Sequence, residues 1–269
     1  MCESKDFSMH KRSIIAAAVL SGLLLGVLGF QVLRSSEPRY QGKRLTEWLA
    51  DNDTEKTREQ HLAAQEAVRK VGTNALPTLV RMLRTKDSLL KGKLTALARK
   101  QPLVNFHFTG ADTRRWRAVH GIYALGPAAK SAVPRIVAIL EDKDPGVKIT
   151  AVTALGLMQS AAESAIPSLL KILTDNDPDV RRNAAEALGR IGRRPEIVVP
   201  ALVDRLQDID IGVRLFAILA LSDGFGPKAK AAVPALLKAI EDPQETIHRS
   251  ARDALTQIDP KTLVKPDVK

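Results

Sequence analysis

The chain has 269 residues, enough for a sizeable core, and its 35 Ala and 34 Leu make up about a quarter of it while aromatic residues are only 4%. That composition excludes a sandwich or barrel of β-branched and aromatic strands, and the 45% hydrophobic content excludes global disorder. A lone Cys2 excludes an intramolecular disulfide or a cysteine-cluster metal site, and a formal charge of +11 points to an anionic partner such as nucleic acid, anionic lipid or an acidic protein.

Residues 1–12 form a short tail. Residues 14–33, within an expected anchor of residues 13–33, are a 20-residue apolar stretch without charge, broken only by Ser21 and Gln31. As a helix it is about 30 Å long, enough to span a bilayer core. Lys11 and Arg12 precede it, but Val32-Leu33-Arg34-Ser35-Ser36 lacks the small-x-small pattern of a cleavage site, so an uncleaved signal anchor is expected rather than a cleaved signal peptide. Cys2 lies before the apolar run and so is no lipoprotein acceptor. Basic residues flank both ends, with Lys5, Lys11 and Arg12 against Arg34, Arg39, Lys43 and Arg44, so charge does not set the orientation. The short tail favours an inside N-terminus in the cell (inner) membrane, with the bulk of the chain extracytoplasmic. Ala18, Gly22 and Gly26, four apart, suggest a weak homodimer through close helix approach.

Residues 34–44, with Pro38 and several charges, read as a linker. Beyond it the sequence repeats. The pairs Val133-Pro134, Ile166-Pro167, Val199-Pro200 and Val233-Pro234 recur at intervals of 33, 33 and 34, and Leu76-Pro77 fits the same frame if an insertion follows it. The triplets Ala124-Leu125-Gly126, Ala154-Leu155-Gly156, Ala187-Leu188-Gly189 and Ala220-Leu221-Ser222 recur at intervals of 30, 33 and 33. Apolar stripes place one helix after each aliphatic-Pro pair and a second helix before each triplet, giving five helix pairs over residues 45–258 and a tail at 259–269. Asp144-Pro145, Asp177-Pro178 and Asp242-Pro243 read as second-helix starts, with Asp as N-cap and Pro at the first helical position.

The recurring Asp-x-x-x-Arg/Lys pattern (Asp144 to Lys148, Asp177 to Arg181, Asp210 to Arg214), followed by Ala-x-x-Ala-Leu-Gly, resembles HEAT repeats, in particular the short HEAT-like type also seen in phycobilin lyases. With its anchor and the segment Tyr40-Gln41-Gly42-Lys43-Arg44-Leu45-Thr46-Glu47-Trp48-Leu49, the chain is also similar to bacterial membrane-anchored HEAT-repeat proteins. The resemblance implies an all-α solenoid of the HEAT/armadillo type and brings no activity with it. It further implies that Asp144, Lys148, Asp177, Arg181, Asp210 and Arg214 form a structural ladder between units.

Leu76-Pro77 and Val133-Pro134 lie 57 apart, so some two dozen residues are inserted, at about 85–112. The segment reads as a basic amphipathic helix ending near Pro102, followed by the apolar Leu103-Val104-Asn105-Phe106-His107-Phe108. From Arg81 to Arg117 the charge is +8, whereas from residue 118 onward 20 basic residues face 19 acidic ones. Lys86, Lys91, Lys93, Arg99, Lys100, Arg114 and Arg115 are therefore candidates to bind anionic lipid or an acidic partner. Arg182, Arg214 and Arg249 are candidates on the concave row of second helices, where solenoids tend to bind.

Catalytic signatures are missing. The five histidines are followed by Lys11, Leu62, Phe108, Gly121 and Arg249, so the His-Glu pairs of a HEAT-repeat di-iron enzyme do not occur, nor does any phosphate loop, nucleophile elbow or zinc helix. No metal, cofactor or nucleic acid is expected. The expected function is a membrane-tethered, non-catalytic scaffold for an unidentified protein partner. The alternatives are an enzyme or cofactor carrier near the insertion using His107, His120 or Tyr123, and a lipid sensor acting through the insertion.

Overall fold

The computed structural model describes residues 37–51, 56–88 and 109–262. A two-stranded hairpin opens it, β1 (Arg39–Tyr40) and β2 (Lys43–Arg44), followed by helices α1 (Leu45–Ala50), α2 (Arg58–Val71), α3 (Leu76–Leu83), α4 (Ala111–Leu125), α5 (Val133–Val137) and α6 (Pro145–Leu157). The rest are α7 (Ile166–Ile172), α8 (Pro178–Ile191), α9 (Pro195–Arg205), α10 (Ile211–Leu219), α11 (Val233–Ala239) and α12 (Glu245–Ile258). Among the described residues, odd-numbered helices are the first and even-numbered helices the second members of six antiparallel pairs. The additional pair is α1 with α2, which precedes the first aliphatic-Pro marker and so escapes a count based on it.

The repeat period is visible in the core. Ile136, Leu169, Leu202 and Leu236 of the first helices, and Ile122, Leu155, Leu188, Leu221 and Leu255 of the second, are each 0% exposed. Each set recurs once per repeat, so one aliphatic layer per pair stacks into a continuous core. Truncating one of these leucines to alanine costs about 2–5 kcal/mol.

Second helices of successive units approach closely. A Cβ at Gly156 would lie 2.9 Å from Cα of Ala187, and one at Gly189 would lie 2.8 Å from Cα of Ala220. First helices touch one another far less, so the row of second helices is the inner side of the curve.

The early triplet Ala124-Leu125-Gly126, off period by three, plays another part: Gly126, at φ +53°, is the C-cap of α4 rather than a packing glycine. The one longer interval, from Val199 to Val233, has a structural cause too. After α10 the chain makes a π-helical segment, Ala220–Phe225, whose wider turn takes up an extra residue. Leu221 keeps the regular spacing from Leu188, while Phe225, 4% exposed, fills the place that Ile191 fills one unit earlier.

The expected linker is partly structured. Gln41 and Gly42 both have positive φ, 49° and 75°, the pattern of a type I′ hairpin turn. The hairpin is tied to α1: the Trp48 indole donates to the Tyr40 carbonyl at 3.1 Å, Lys43 Nζ stands 4.3 Å from the Trp48 ring centre, and the Leu45 N–H donates to the Pro38 carbonyl.

The solenoid has two long edges. One carries the connections from second to first helices, among them Gly72–Ala75, Gly126–Ala132, Gln159–Ala165 and Gly226–Ala232, all 3-10 turns. The other carries the turns within each pair, at residues 138–144, 173–177, 206–210 and 240–244.

Candidate functional site

The within-pair turns hold a ladder of ion pairs between units. Lys148 bonds to Asp175, and Arg181 donates to both oxygens of Asp208 at 2.7 and 2.9 Å. Arg214 sets its Nε 3.0 Å from Asp242. The cations are those expected, but the partners are not. Asp144, Asp177 and Asp210 turn their carboxylates onto the first backbone N–H groups of α6, α8 and α10 and act as N-caps. The bridging carboxylate sits two residues earlier in each turn. For the same reason Asp242 is no N-cap: α12 starts at Glu245 behind Gln244, and Asp242 takes the ladder position.

Three of these carboxylates are held below the ordinary aspartate range. For Asp142 the Lys86 ammonium is the main cause. At Asp175 and Asp208 burial pushes the other way, and the Lys148 ammonium and the Arg181 guanidinium, each joined by a backbone N–H, outweigh it. Arg181 is in turn raised by its bond to Asp208.

The insertion leaves from a within-pair turn, and its two ends are pinned together. Asp87 accepts the N–H of Ala111 at 3.0 Å, and Arg115 donates to the Thr85 carbonyl at 2.6 Å. Arg115, Lys148, Arg181 and Arg214 are 33 apart, so Arg115 is the ladder cation of its unit. It is 5% exposed, bonded to Thr85 and Asp112, and Lys86 has taken its place on Asp142 at 2.6 Å. Of the residues expected to bind a partner, Lys86 and Arg214 bond to Asp142 and Asp242 in the ladder, Lys86 with its side chain 50% exposed, and Arg115 is buried against Thr85 and Asp112. Arg114 donates to the Thr109 carbonyl. Lys91, Lys93, Arg99, Lys100 and His107 lie outside the described residues.

The inner face presents exposed rings. On α4, Trp116 (42% exposed), His120 and Tyr123 (53% exposed) fall on one stripe, with Leu62 of α2 (56% exposed) beside it by register. Toward the other end, Arg182 of α8 lies over the Phe216 ring at 5.9 Å and pairs with Asp179, while Arg190 pairs with Glu186 at 2.7 Å. Between α8 and α10, Glu186, Arg190 and Phe216 line a shallow groove of about 280 Å3 together with Leu219 and Asp223, at the π-helical segment. Arg249 continues the exposed row on α12. Composition alone draws attention to the cations; the helical spacing 116, 120, 123 is the signal for the aromatic stripe.

Apolar rings bordered by both signs of charge suit a polypeptide with apolar anchors better than a uniformly charged ligand. Among the described residues no three His, Cys, Asp or Glu side chains are grouped to hold a metal ion, and no helix is long and apolar enough to cross a membrane. The apolar stretch of residues 14–33, including Ala18, Gly22 and Gly26, lies outside them.

A family model described as HEAT repeats matches residues 111–189 and 133–222. No curated protein matches the chain. Among solved structures it is similar to an engineered protein, with 21% identity over 80% of this chain and 96% of that one at a TM-score of 0.48. A designed armadillo repeat protein in complex with the peptide (KR)4 matches with 18% identity over 80% and 99% at 0.47. The complex of CpcE and CpcF of phycocyanin lyase from Nostoc matches with 19% identity over 82% and 80% at 0.43.

Proposed function

The chain carries HEAT repeats, and on that premise we propose that it is a membrane-tethered scaffold that holds a protein partner against its inner face without catalysing a reaction. The observation that carries this reading is the exposed stripe of Trp116 and Tyr123 on α4, large rings left open on the concave side of a solenoid. Leu219 and Phe216 extend it toward the C-terminal units, and Arg182 and Arg249 supply the bordering charge. The tether is the apolar stretch of residues 14–33, long enough and uncharged enough for one crossing. The repeats then lie outside the inner membrane, with Ala18, Gly22 and Gly26 available for a weak dimer contact. Lys91, Lys93, Arg99 and Lys100 of the insertion add a second surface for an acidic partner.

Crosslinking of the full chain in its membrane, followed by mass spectrometry, tests the reading. A recurrent protein adduct that disappears in Trp116→Ala/Tyr123→Ala and persists when the insertion is deleted is the expected result. An adduct unaffected by the double variant contradicts it.

A further inference from the structure

From residue 126 onward the two edges of the solenoid differ in charge, whereas the earlier within-pair turn that bears the insertion is basic. The within-pair segments 141–144, 175–177, 208–210 and 241–243 each have a net charge of −2, a total that the four ladder cations Lys86, Lys148, Arg181 and Arg214 bring to −4. The opposite connections sum the other way: +1 for Gly126–Ala132, −1 for Gln159–Ala165, +2 for residues 192–194 and +2 for Gly226–Ala232, a total of +4. Lys130, Arg193, Lys228 and Lys230 on that edge are exposed, and Lys70 at the end of α2 joins them. The contrast arises from the repeat itself, because N-caps and ladder acceptors require aspartates in one set of turns and nothing requires them in the other.

The chain enters at the basic edge. The first helix α1 starts there, like every first helix, and the hairpin packed on its start carries Arg39, Lys43 and Arg44. Only residues 34–36 separate the apolar stretch from Glu37, four peptide steps that reach at most ~14 Å. The insertion springs from the opposite edge, a helix length away; α2, with 14 residues, is about 21 Å long.

A basic edge held this close to the end of a membrane span meets the lipid headgroups. We propose that the solenoid lies along an anionic bilayer on the edge that carries Lys130, Arg193, Lys228 and Lys230, with the aspartate-rich edge and the root of the insertion turned away from the membrane. This rests on the tether proposed above and adds to it an orientation and a lipid chemistry. The inner face, perpendicular to both edges, then stays open to a partner at the membrane surface.

The test uses the full chain with Cys2→Ser, a fluorophore on either Ala128→Cys of the basic edge or Asn176→Cys of the acidic edge, both exposed, and vesicles of phosphatidylcholine with or without phosphatidylglycerol that bear a headgroup quencher. The label at 128 should lose most of its emission in anionic vesicles and regain it in neutral ones, or when Lys130, Arg193, Lys228 and Lys230 are changed to Glu; the label at 176 should stay bright. A chain that resists carbonate extraction yet shows no quenching at 128, or shows it at 176, keeps its tether and overturns the orientation. A chain that carbonate extracts overturns both.

Discussion

Arg181 of α8 clasps Asp208 of the following unit with Nε and a terminal nitrogen, at 2.9 and 2.7 Å, while a second terminal nitrogen donates to the carbonyls of Asp175 and Asn176. Asp208 also accepts the N–H of Asp210 at 3.0 Å. One guanidinium thus ties its own turn to the next, and the pair is nearly closed to solvent, with side chains 11% and 5% exposed. Removing Asp208 leaves a mostly buried guanidinium with only the turn carbonyls, and removing Arg181 leaves Asp208 with Arg205 at 3.7 Å as its nearest cation.

Asp208→Ala should therefore cost about 3 kcal/mol, more than the loss of an exposed pair such as Arg194 with Glu196. Urea unfolding followed by circular dichroism measures the difference. Equal effects at the two sites would show that the ladder does not couple units.

Acid should loosen the stack through the same carboxylates. Asp142, Asp175 and Asp208 have folded pKa values below the ordinary value of 3.8, so they add stability that is complete above that value and is lost as pH falls through it toward the lowered folded values. The urea midpoint should fall steeply below about pH 4, and Asp208→Asn, already weakened at pH 7, should fall less. Parallel pH curves for the two proteins would contradict the assignment.

Gln159 holds φ +51° at a position where Gly126, Gly192 and Gly226 of neighbouring units hold +53°, +60° and +51°. A side chain in this left-handed region is strained, so Gln159→Gly should stabilise the chain by about 1 kcal/mol and Gly126→Gln should destabilise it by a similar amount. Thermal melts of both variants check the sign.

The insertion should be removable. Deleting residues 88–111 joins Asp87 to Asp112 and shortens the interval from Leu76 to Val133 to that of the regular repeats, with Arg115 four positions after Asp87, as Arg181 follows Asp177. Since Asp87 and the start of α4 are already in contact, the melting temperature and the cooperativity of unfolding should stay close to those of the full chain. Loss of cooperative unfolding would mean that the insertion is part of the core.

Much of the fold is legible in the sequence because a stacked repeat must place one aliphatic layer per period, and Ile122, Leu155, Leu188 and Leu221 do so at equal spacing. The ladder shows where periodicity stops informing. In Asp175-Asn176-Asp177 and Asp208-Ile209-Asp210 both aspartates recur with the same spacing, so spacing alone does not separate the one that caps a helix from the one that bridges to the next unit. The same ambiguity hides Arg115, which has the charge of a surface residue and the register of a buried one. The inner-face stripe is obscured differently, because Trp116 and Tyr123 have the spacing of core residues and only the packed helices show them to be exposed.

The most direct test of the scaffold reading places a photocrosslinking amino acid at Tyr123 or Leu219 on the inner face, and at Lys171 or Lys238 on the first helices outside, in the full-length chain within its membrane. Discrete adducts with one protein from positions 123 and 219, and none from 171 and 238, are the predicted result. Adducts from the outer positions alone would contradict it.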